Sequence, residues 1–195
     1  MENIHSHLGH SANGLLQEIR QQTAVNIQAC YQCGKCSAGC PLAGEMDFPP
    51  SLLMRMIQVN KPETDEKVLG AYSMWVCLTC NTCSSRCPME IDIPRVMDHL
   101  REKSFTLGKT NKKASPIIDF HKAFLKSIEV NGRLHELGLI VYYKMLTFRL
   151  MQDVMLAPGM LLRGKLHLFP ERIRQRKQLA AIFKRTYKRR KEQEV

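Results

Sequence analysis

The sequence contains no apolar run long enough to span a membrane, and it does not begin like a secretory signal peptide. Its longest apolar stretch, LGLIVYYKML, is short and includes Lys144, whereas a membrane-spanning helix needs roughly 18 or more apolar residues. The opening residues, MENIHSHLGH, lack the basic start and apolar centre of a signal peptide. We therefore expect a cytoplasmic protein without a direct membrane span, in a compartment that keeps thiols reduced.

The sequence also lacks the usual motifs for nucleotide binding and for zinc hydrolases. There is no G-x-G-x-x-G and no HExxH. The tripeptide GKT at 108–110 has Lys103 where a phosphate loop needs its first glycine, so we interpret it as a solvent-exposed turn. His121, His135 and His167 are scattered along the chain, which favours surface or partner-facing roles over metal ligation.

Charge is concentrated at the C-terminal end. The formal net charge is +11, and twelve Lys or Arg residues lie between Arg163 and Lys191, with Glu171 as the single acid. Such a tail is typical of a solvated basic helix, of a segment that docks an acidic partner, or of one that binds nucleic acid or anionic lipid. The apolar residues Leu179, Ile182 and Phe183 interrupt the charges. For that reason we expect docking to a sister subunit, and no nucleic acid as partner.

All eight cysteines lie in two short stretches with the same spacing. The first loop, residues 30–41, reads CYQCGKCSAGCP, and the second loop, residues 77–88, reads CLTCNTCSSRCP. Both follow C-x₂-C-x₂-C-x₃-C-P, which is the spacing of a ferredoxin-type [4Fe–4S] site. Two-residue gaps let a tight loop direct three thiolates to three corners of a cubane. The sequence therefore predicts two [4Fe–4S] clusters.

The fourth cysteine of each loop is expected to bind the cluster of the other loop, as this motif does in two-cluster ferredoxins. The predicted ligands of cluster 1 are Cys30, Cys33, Cys36 and Cys87. The predicted ligands of cluster 2 are Cys77, Cys80, Cys83 and Cys40. This crossed ligation would hold the two clusters close enough for electrons to pass between them.

Other interpretations of the cysteines fit less well. Zinc prefers two ligand pairs with a longer spacer between them, and disulfides are disfavoured in a reducing compartment. The small and hydroxyl-bearing residues between the ligands leave two readings open. In the first, residues such as Gly34, Ser37, Thr82 and Ser84 bring hydrogen-bond donors to the cluster sulfurs, and such hydrogen bonds raise the reduction potential. In the second, they are ordinary loop residues.

Helical periodicity outside the loops predicts an all-α fold. Leu15, Leu16 and Ile19 predict a short N-terminal helix. After Pro49 and Pro50, a helix is predicted with Leu52, Leu53, Met56 and Ile57 on one face, and Pro62 stops it. A second stripe, Val68, Leu69, Tyr72, Trp75 and Val76, leads into Cys77. Asp92 is predicted to cap a helix that buries Val96, Met97 and Leu100. Beyond residue 115 we expect helices broken near Asn131–Gly132 and ending near Pro158–Gly159.

These features together resemble the α-helical ferredoxin domain of iron–sulfur subunits in succinate dehydrogenase, fumarate reductase, anaerobic glycerol-3-phosphate dehydrogenase and heterodisulfide reductases. CYQCGKCSAGCP, WVCLTCNTCSSRCP, IDIPRVMDHLR and NGRLHELGL match best the family of the heterodisulfide reductase C subunit, over about residues 25 to 140. Together with the residue patterns on either side, this resemblance predicts a helical arm at 1–24, an α-helical ferredoxin domain at 25–105 and a helical extension with a basic tail at 106–195.

The family resemblance also implies a function. Such a subunit is a non-catalytic electron relay in an oxidoreductase complex. It takes electrons from a flavin-containing A subunit, which hydrogenase or dehydrogenase donors supply, and passes them to a disulfide-reducing B subunit. The alternative is the iron–sulfur subunit of a membrane-bound, quinone-linked dehydrogenase, although that class usually carries an additional iron–sulfur or cysteine-rich domain. A third reading is a basic binding module that holds zinc.

Overall fold

The computed structural model describes residues 14–147, 157–163 and 173–193. Among them there are helices and no strands, as the sequence predicts. The chain divides into two compact units, Met1–Ala114 and Ser115–Val195. The finer division at 24/25 and 105/106 stays a prediction. None of the described helices is both long and apolar enough to cross a bilayer.

The described part of the first unit, residues 14–114, contains seven α-helices and the two cysteine loops. The helices are α1 (Gly14–Thr23), α2 (Lys35–Ala38), α3 (Pro50–Val59), α4 (Pro62–Leu69), α5 (Ser73–Val76), α6 (Thr82–Ser85) and α7 (Ile93–Thr106). Short 3₁₀ turns lie at Ile27–Ala29, Ala43–Glu45 and Lys112–Ala114. The four longer helices α1, α3, α4 and α7 pack on one another, and the one-turn helices belong to the loops.

Local sequence signals account for the helix boundaries. Proline begins α3 and α4 at positions where a helix has no use for the missing N–H. Asn60 ends α3 in the left-handed conformation, with φ +49°. Asp92 caps α7, and its side chain accepts a hydrogen bond from the Arg95 backbone N–H at 3.2 Å. These signals turn the chain sharply between α3 and α4 and start α7 directly after the second loop.

One apolar core holds the first unit together. The fully enclosed side chains include Ile19 from α1, Leu53 and Ile57 from α3, and Met97 and Leu100 from α7. The predicted burial of Leu15, Leu16 and Ile19 and of Val96, Met97 and Leu100 is confirmed. The N-terminal helix is thus an integral layer of this core.

Two details of the predicted helices are wrong. The buried face of α3 consists of Pro50, Leu53, Met54 and Ile57, while Leu52 is 46% exposed, because the helix is rotated slightly from the predicted stripe. The stripe before Cys77 is not one helix. It breaks after Leu69, where Gly70 ends α4, and α5 restarts at Ser73.

The second unit contains α8 (Ser115–Asn131), α9 (Glu136–Thr147), α10 (Ala157–Leu162) and α11 (Arg176–Gln193). Within this unit α8 packs on α9 and on α11. The predicted break at Asn131–Gly132 is confirmed, and Gly132 has φ +84°. The predicted end near Pro158–Gly159 is wrong, since α10 runs through both residues. His167, Glu171 and part of the basic tail lie outside the described residues, and docking by the tail stays a prediction.

Adjacent leucines on α3 provide a test of this core. Replacing the enclosed Leu53 by Ala should lower the free energy of unfolding by about 2–5 kcal/mol, because the substitution leaves a cavity. Leu52→Ala, on the exposed face, should change it by no more than about 0.5 kcal/mol. Denaturant unfolding of the anoxically prepared protein, followed by circular dichroism, measures both; equal losses would show that the face of α3 is assigned incorrectly.

Candidate metal centre

The two cysteine loops have the same backbone conformation. The residue before the second cysteine is left-handed in both, with φ +63° at Gln32 and +51° at Thr79. The residue after that cysteine is also left-handed, with φ +75° at Gly34 and +61° at Asn81. A single turn of helix follows, α2 in the first loop and α6 in the second. The repeated sequence is therefore a repeated structure, built on two left-handed residues that reverse the chain around the second cysteine.

Burial of the sulfurs repeats in the same order. The second cysteine of each loop is exposed, the third is buried, and the first and fourth are intermediate. The exposed pair is Cys33 and Cys80, the buried pair Cys36 and Cys83, and the intermediate residues Cys30, Cys40, Cys77 and Cys87. Each loop thus presents its thiols from the core outwards to the protein surface. All eight are free thiols, with no disulfide between them.

A cavity in the second loop also takes in a cysteine of the first. Cys77, Cys80 and Cys83 line it together with Cys40, and the space amounts to about 400 Å³, part of it open to solvent. The remaining wall is apolar and comes from Met46, Pro50, Ile93, Pro94 and Met97, among others. Among the described residues no three His, Cys, Asp or Glu side chains form a set that could hold a single metal ion. Cys40 of the first loop thus lines the same cavity as the first three cysteines of the second.

The pKa of Tyr31, in the first loop, depends on thiols of both loops. The pKa of its hydroxyl is raised, first by loss of hydration and then by the charges of Cys33, Cys87 and Cys30. Cys87 belongs to the second loop, so the charge of one loop acts on a side chain of the other.

The loops touch at matched positions through their one-turn helices α2 and α6. Gly39 follows α2 and Arg86 follows α6, and the Arg86 side chain occupies the space above Gly39. A Cβ on Gly39 would come within 2.5 to 2.8 Å of three Arg86 side-chain atoms. A side chain at position 39 would therefore require Arg86 to move.

The helix α5 leads into the second loop, and hydrogen bonds fix both of its ends. The Asp47 carboxylate accepts hydrogen bonds from the backbone N–H groups of Tyr72 and Ser73, at 2.7 and 2.8 Å, and from the Ser73 hydroxyl. Burial alone would raise the pKa of Asp47, but these hydrogen bonds outweigh it and lower the pKa. At the other end, Arg101 of α7 donates to the carbonyls of Met74 and Cys77. Cys77 is thereby fixed to the helical core.

The first loop is held by a neutral side chain. Gln58 of α3 donates through Nε2 to the carbonyls of Ile27 and Cys30, at 3.1 and 2.8 Å. Its Oε1 accepts a hydrogen bond from Gln32 Nε2 at 3.0 Å, and the same Gln32 nitrogen lies 3.3 Å from Cys30 Sγ. A side-chain donor thus already points at the first sulfur of this loop.

The cysteine thiols differ in pKa because their surroundings differ. Burial raises the pKa of the Cys83 thiol to about 11, and Cys77 adds to the shift. Burial also raises the pKa of Cys36. The Thr82 hydroxyl and backbone N–H lower the pKa of exposed Cys80. A buried thiolate needs a cation to stabilise it, and the iron of a cluster would supply one.

Sequence reasoning singled out the cysteines but missed the residues that hold the loops. Asp47, Gln58 and Arg101 carry no motif, and each reaches a loop from 24 to 31 positions away in the chain. Of the histidines predicted not to be ligands, His135 accepts a hydrogen bond from the Gly138 N–H at 3.0 Å, at the start of α9.

Comparison with known proteins agrees with this geometry. The family model for the 4Fe-4S dicluster domain matches residues 26–91, which contain both loops. The chain is 26% identical over 118 residues to the iron-sulfur C subunit of the CoB–CoM heterodisulfide reductase of Methanopyrus kandleri, covering 60% of each chain. It is 29% identical over 123 residues to the corresponding C 2 subunit of Methanocaldococcus jannaschii, covering 60% of this chain and 64% of the relative. The chain thus spans under two thirds of these relatives' length.

The predicted cofactors and the resemblance to the heterodisulfide reductase C subunit are therefore confirmed. The dicluster domain carries two [4Fe–4S] clusters, and the free thiols, the shared cavity and the donors at the sulfurs fit that cofactor. Which thiolate binds which cluster stays a prediction at this point.

Gly34 tests whether the left-handed turn is needed for the clusters. An alanine there would meet no atom within 4 Å, so its cost is conformational, about 1–2 kcal/mol. Gly34→Ala should therefore lower the resistance of the clusters to denaturant, measured by loss of their visible absorbance under anoxic conditions. Gly34→Asn, which copies Asn81, should restore much of it, because asparagine tolerates this conformation better.

Gly44→Ala is the control for that experiment. Gly44 also has open space around it but no positive φ, so this change should leave cluster stability as it is. Equal effects of the Gly34→Ala and Gly44→Ala changes would contradict the role of the turn.

Proposed function

We propose that this chain is the electron-transfer subunit of a heterodisulfide-reductase-type complex, passing electrons through its two clusters between partner subunits. The observation that carries the proposal is the joining of the loops, in which Cys40 of the first loop lines one cavity with Cys77, Cys80 and Cys83 of the second. Two clusters that share loops in this way lie close together, which is what a relay requires. The relatives are named as iron-sulfur C subunits of heterodisulfide reductases, and those names support the kind of complex.

The ligand sets we propose are crossed. Cluster 1 is bound by Cys30, Cys33, Cys36 and Cys87. Cluster 2 is bound by Cys77, Cys80, Cys83 and Cys40. The cavity supports the second set, and the effect of Cys87 on Tyr31 supports the first.

Crossed ligation leaves no thiol for catalysis in this chain. All eight cysteines are cluster ligands in this proposal, so reduction of the disulfide substrate falls to the B subunit, and electrons arrive from the flavin-containing A subunit. Hydrogenase or dehydrogenase donors would feed the flavin. We place the complex in the cytoplasm, where the thiols remain reduced until iron binds them.

The exposed parts of the loops are suited to contact with those partners. Tyr31 follows the first cysteine of the first loop and is 59% exposed; Leu78 holds the matched position in the second loop and is 68% exposed. Each lies close in sequence to an exposed ligand cysteine, Cys33 or Cys80. An apolar side chain beside a cluster gives a partner a place to pack at the point where the electron leaves.

Substitution of the fourth cysteines tests the crossed assignment. Cys87→Ser should damage cluster 1, and Cys40→Ser should damage cluster 2, because each removes a ligand supplied by the other loop. Cys33→Ser and Cys80→Ser, which are predicted to damage clusters 1 and 2 respectively, provide the reference spectra. Electron paramagnetic resonance of the reduced protein, with iron and sulfide analysis, distinguishes the clusters. If Cys87→Ser reproduced the spectrum of Cys80→Ser, ligation would be uncrossed.

Electron transfer between partners tests the function itself. The tagged chain, isolated anoxically from its own source, should bring with it a flavoprotein and a second cysteine-rich subunit. The chemically reduced chain should be reoxidised by a disulfide substrate only when that second subunit is present. The return of the cluster absorbance measures the reoxidation. Rapid reoxidation of the chain alone would show that it reduces disulfides unaided, and recovery of membrane quinone-linked partners instead would favour the alternative complex.

A further inference from the structure

We propose that the two clusters are unequal and that the cluster of the second loop has the higher reduction potential. The proposal rests on the relay function above but does not depend on whether ligation is crossed, since Cys77 and Cys83 belong to the second-loop cluster in either case. The two loops match in backbone and in burial of their sulfurs, so any difference in potential must come from what surrounds them. Two matched pairs of side chains differ in the direction that raises the potential of the second-loop cluster, and one exposed contact opposes them.

The first difference is a charge. The carbonyl of the first cysteine is bound by Gln58 in the first loop and by Arg101 in the second. Gln58 is neutral, whereas Arg101 places a guanidinium cation against Cys77. Reduction adds one electron and hence one negative charge to a cluster, so a nearby cation stabilises the reduced form and raises the potential.

The carboxylate paired with Arg101 weakens this effect without cancelling it. Asp98 lies 2.6 Å from Arg101 Nη1, but its side chain is 62% exposed, while that of Arg101 is 23% exposed. Water therefore screens the carboxylate more than the guanidinium. A second carboxylate, Asp47, bonds the N–H groups of Tyr72 and Ser73 at the far end of α5, whereas the guanidinium contacts the carbonyl of the ligand Cys77 itself. The cation is therefore the charge in direct contact with the ligand.

The second difference is a hydroxyl group. Ser37 and Ser84 follow the buried cysteine of their loops. Ser37 Oγ lies 2.7 Å from Ser51 Oγ and accepts a hydrogen bond from the Ser51 N–H at 2.8 Å. Ser84 Oγ is buried and meets no such second hydroxyl or N–H among the described residues. Each serine hydroxyl acts on the buried cysteine before it and favours its thiolate, but Ser37 shares its hydroxyl with Ser51. The Ser84 proton is therefore the one available in full to a cluster sulfur, and such a bond raises the potential.

One contact acts in the opposite direction. The Tyr31 hydroxyl hydrogen-bonds with Cys33 in the first loop, and Leu78 holds the matched position in the second; Tyr31 is 59% exposed, so water weakens this bond.

The other contacts are balanced: Gln32 Nε2 donates to Cys30 Sγ at 3.3 Å, and the Thr82 hydroxyl lies 3.4 Å from Cys80 Sγ. Each loop also carries one exposed cation, Lys35 in the first and Arg86 in the second. Arg86 lies over Gly39, between the fourth cysteines of both loops, so its charge acts on both clusters.

Unequal potentials give the relay a direction. An electron that enters at the first-loop cluster moves downhill to the second-loop cluster, which leaves the first free to accept another. The donor subunit would then contact the first loop near Tyr31, and the acceptor would contact the second loop near Leu78. The electron itself comes from the reduced flavin of the donor subunit, and each cluster gains and loses one electron per transfer.

Redox titration of the full-length chain, monitored by electron paramagnetic resonance, tests the inference. The signals of the two clusters are assigned with Cys33→Ser and Cys80→Ser, which change one ligand of each. In the unmodified protein the second-loop cluster should be reduced first. Arg101→Gln should lower its reduction equilibrium constant about tenfold, or about 59 mV for one electron, and leave the first-loop cluster as it was.

Three further variants separate charge from structure. Arg101→Lys keeps the charge and should leave the potential of the second-loop cluster well above that of Arg101→Gln. Asp98→Asn removes an exposed carboxylate and should raise the potential of the second-loop cluster. This variant tests the charge effect even if Arg101→Gln fails to retain its cluster. Ser84→Ala should lower the second-loop potential more than Ser37→Ala lowers the first.

The inference is overturned if the first-loop cluster titrates at an equal or higher potential, or if Arg101→Lys and Arg101→Gln shift the second-loop cluster equally. It is also overturned if Asp98→Asn leaves the potential unchanged. Those results would leave the relay standing, because both clusters would still be present and reducible. The relay would fail separately, if partner subunits neither reduce nor oxidise the chain.

Discussion

Four thiolates must surround each cubane, but a loop of the form C-x₂-C-x₂-C can direct only three of them inwards. The need for a fourth ligand accounts for the pairing of two such loops in the first unit. Two copies of one loop are packed together through α2 and α6, and the Arg86 side chain of the second lies against Gly39 of the first. In the crossed ligation we propose, the fourth cysteine of each loop completes the cluster of the other, so that neither loop is sufficient alone.

The helices around this site hold the loops by their backbone carbonyls. Gln58 on α3 and Arg101 on α7 each bond the carbonyl of a first cysteine, while Asp47 fixes the start of α5. Both anchoring helices are also core helices, with Leu53, Ile57, Met97 and Leu100 fully enclosed. Packing of apolar side chains is thus coupled to placement of the sulfurs. A fixed cluster environment suits electron transfer, because little around the cluster has to move when its charge changes.

The cofactor and the helical class were predictable from the sequence, since cysteine spacing and apolar periodicity are local signals, while the assignment of ligands to clusters stays a prediction. The sequence also predicted the buried residues of α7 correctly. It placed the exposed Leu52 on the buried face of α3 and joined α4 to α5, because a stripe of apolar residues does not show the break of three residues that begins at Gly70. The anchors Asp47, Gln58 and Arg101 could not be predicted. Their partners are backbone atoms distant in the chain, and such contacts leave no residue pattern to recognise.

Duplication alone would make a poor relay. Two identical loops in identical surroundings would give clusters of equal potential, and an electron would be shared between them with no preferred exit. The loops keep the features that bind a cubane, namely the spacing, the left-handed residues at matched positions and the graded burial. The differences lie in what touches them, a glutamine on α3 against an arginine on α7, and a serine engaged by Ser51 against one that is not. Geometry is thus repeated where binding requires it, while the surrounding helices are free to differ and so to set the direction of flow.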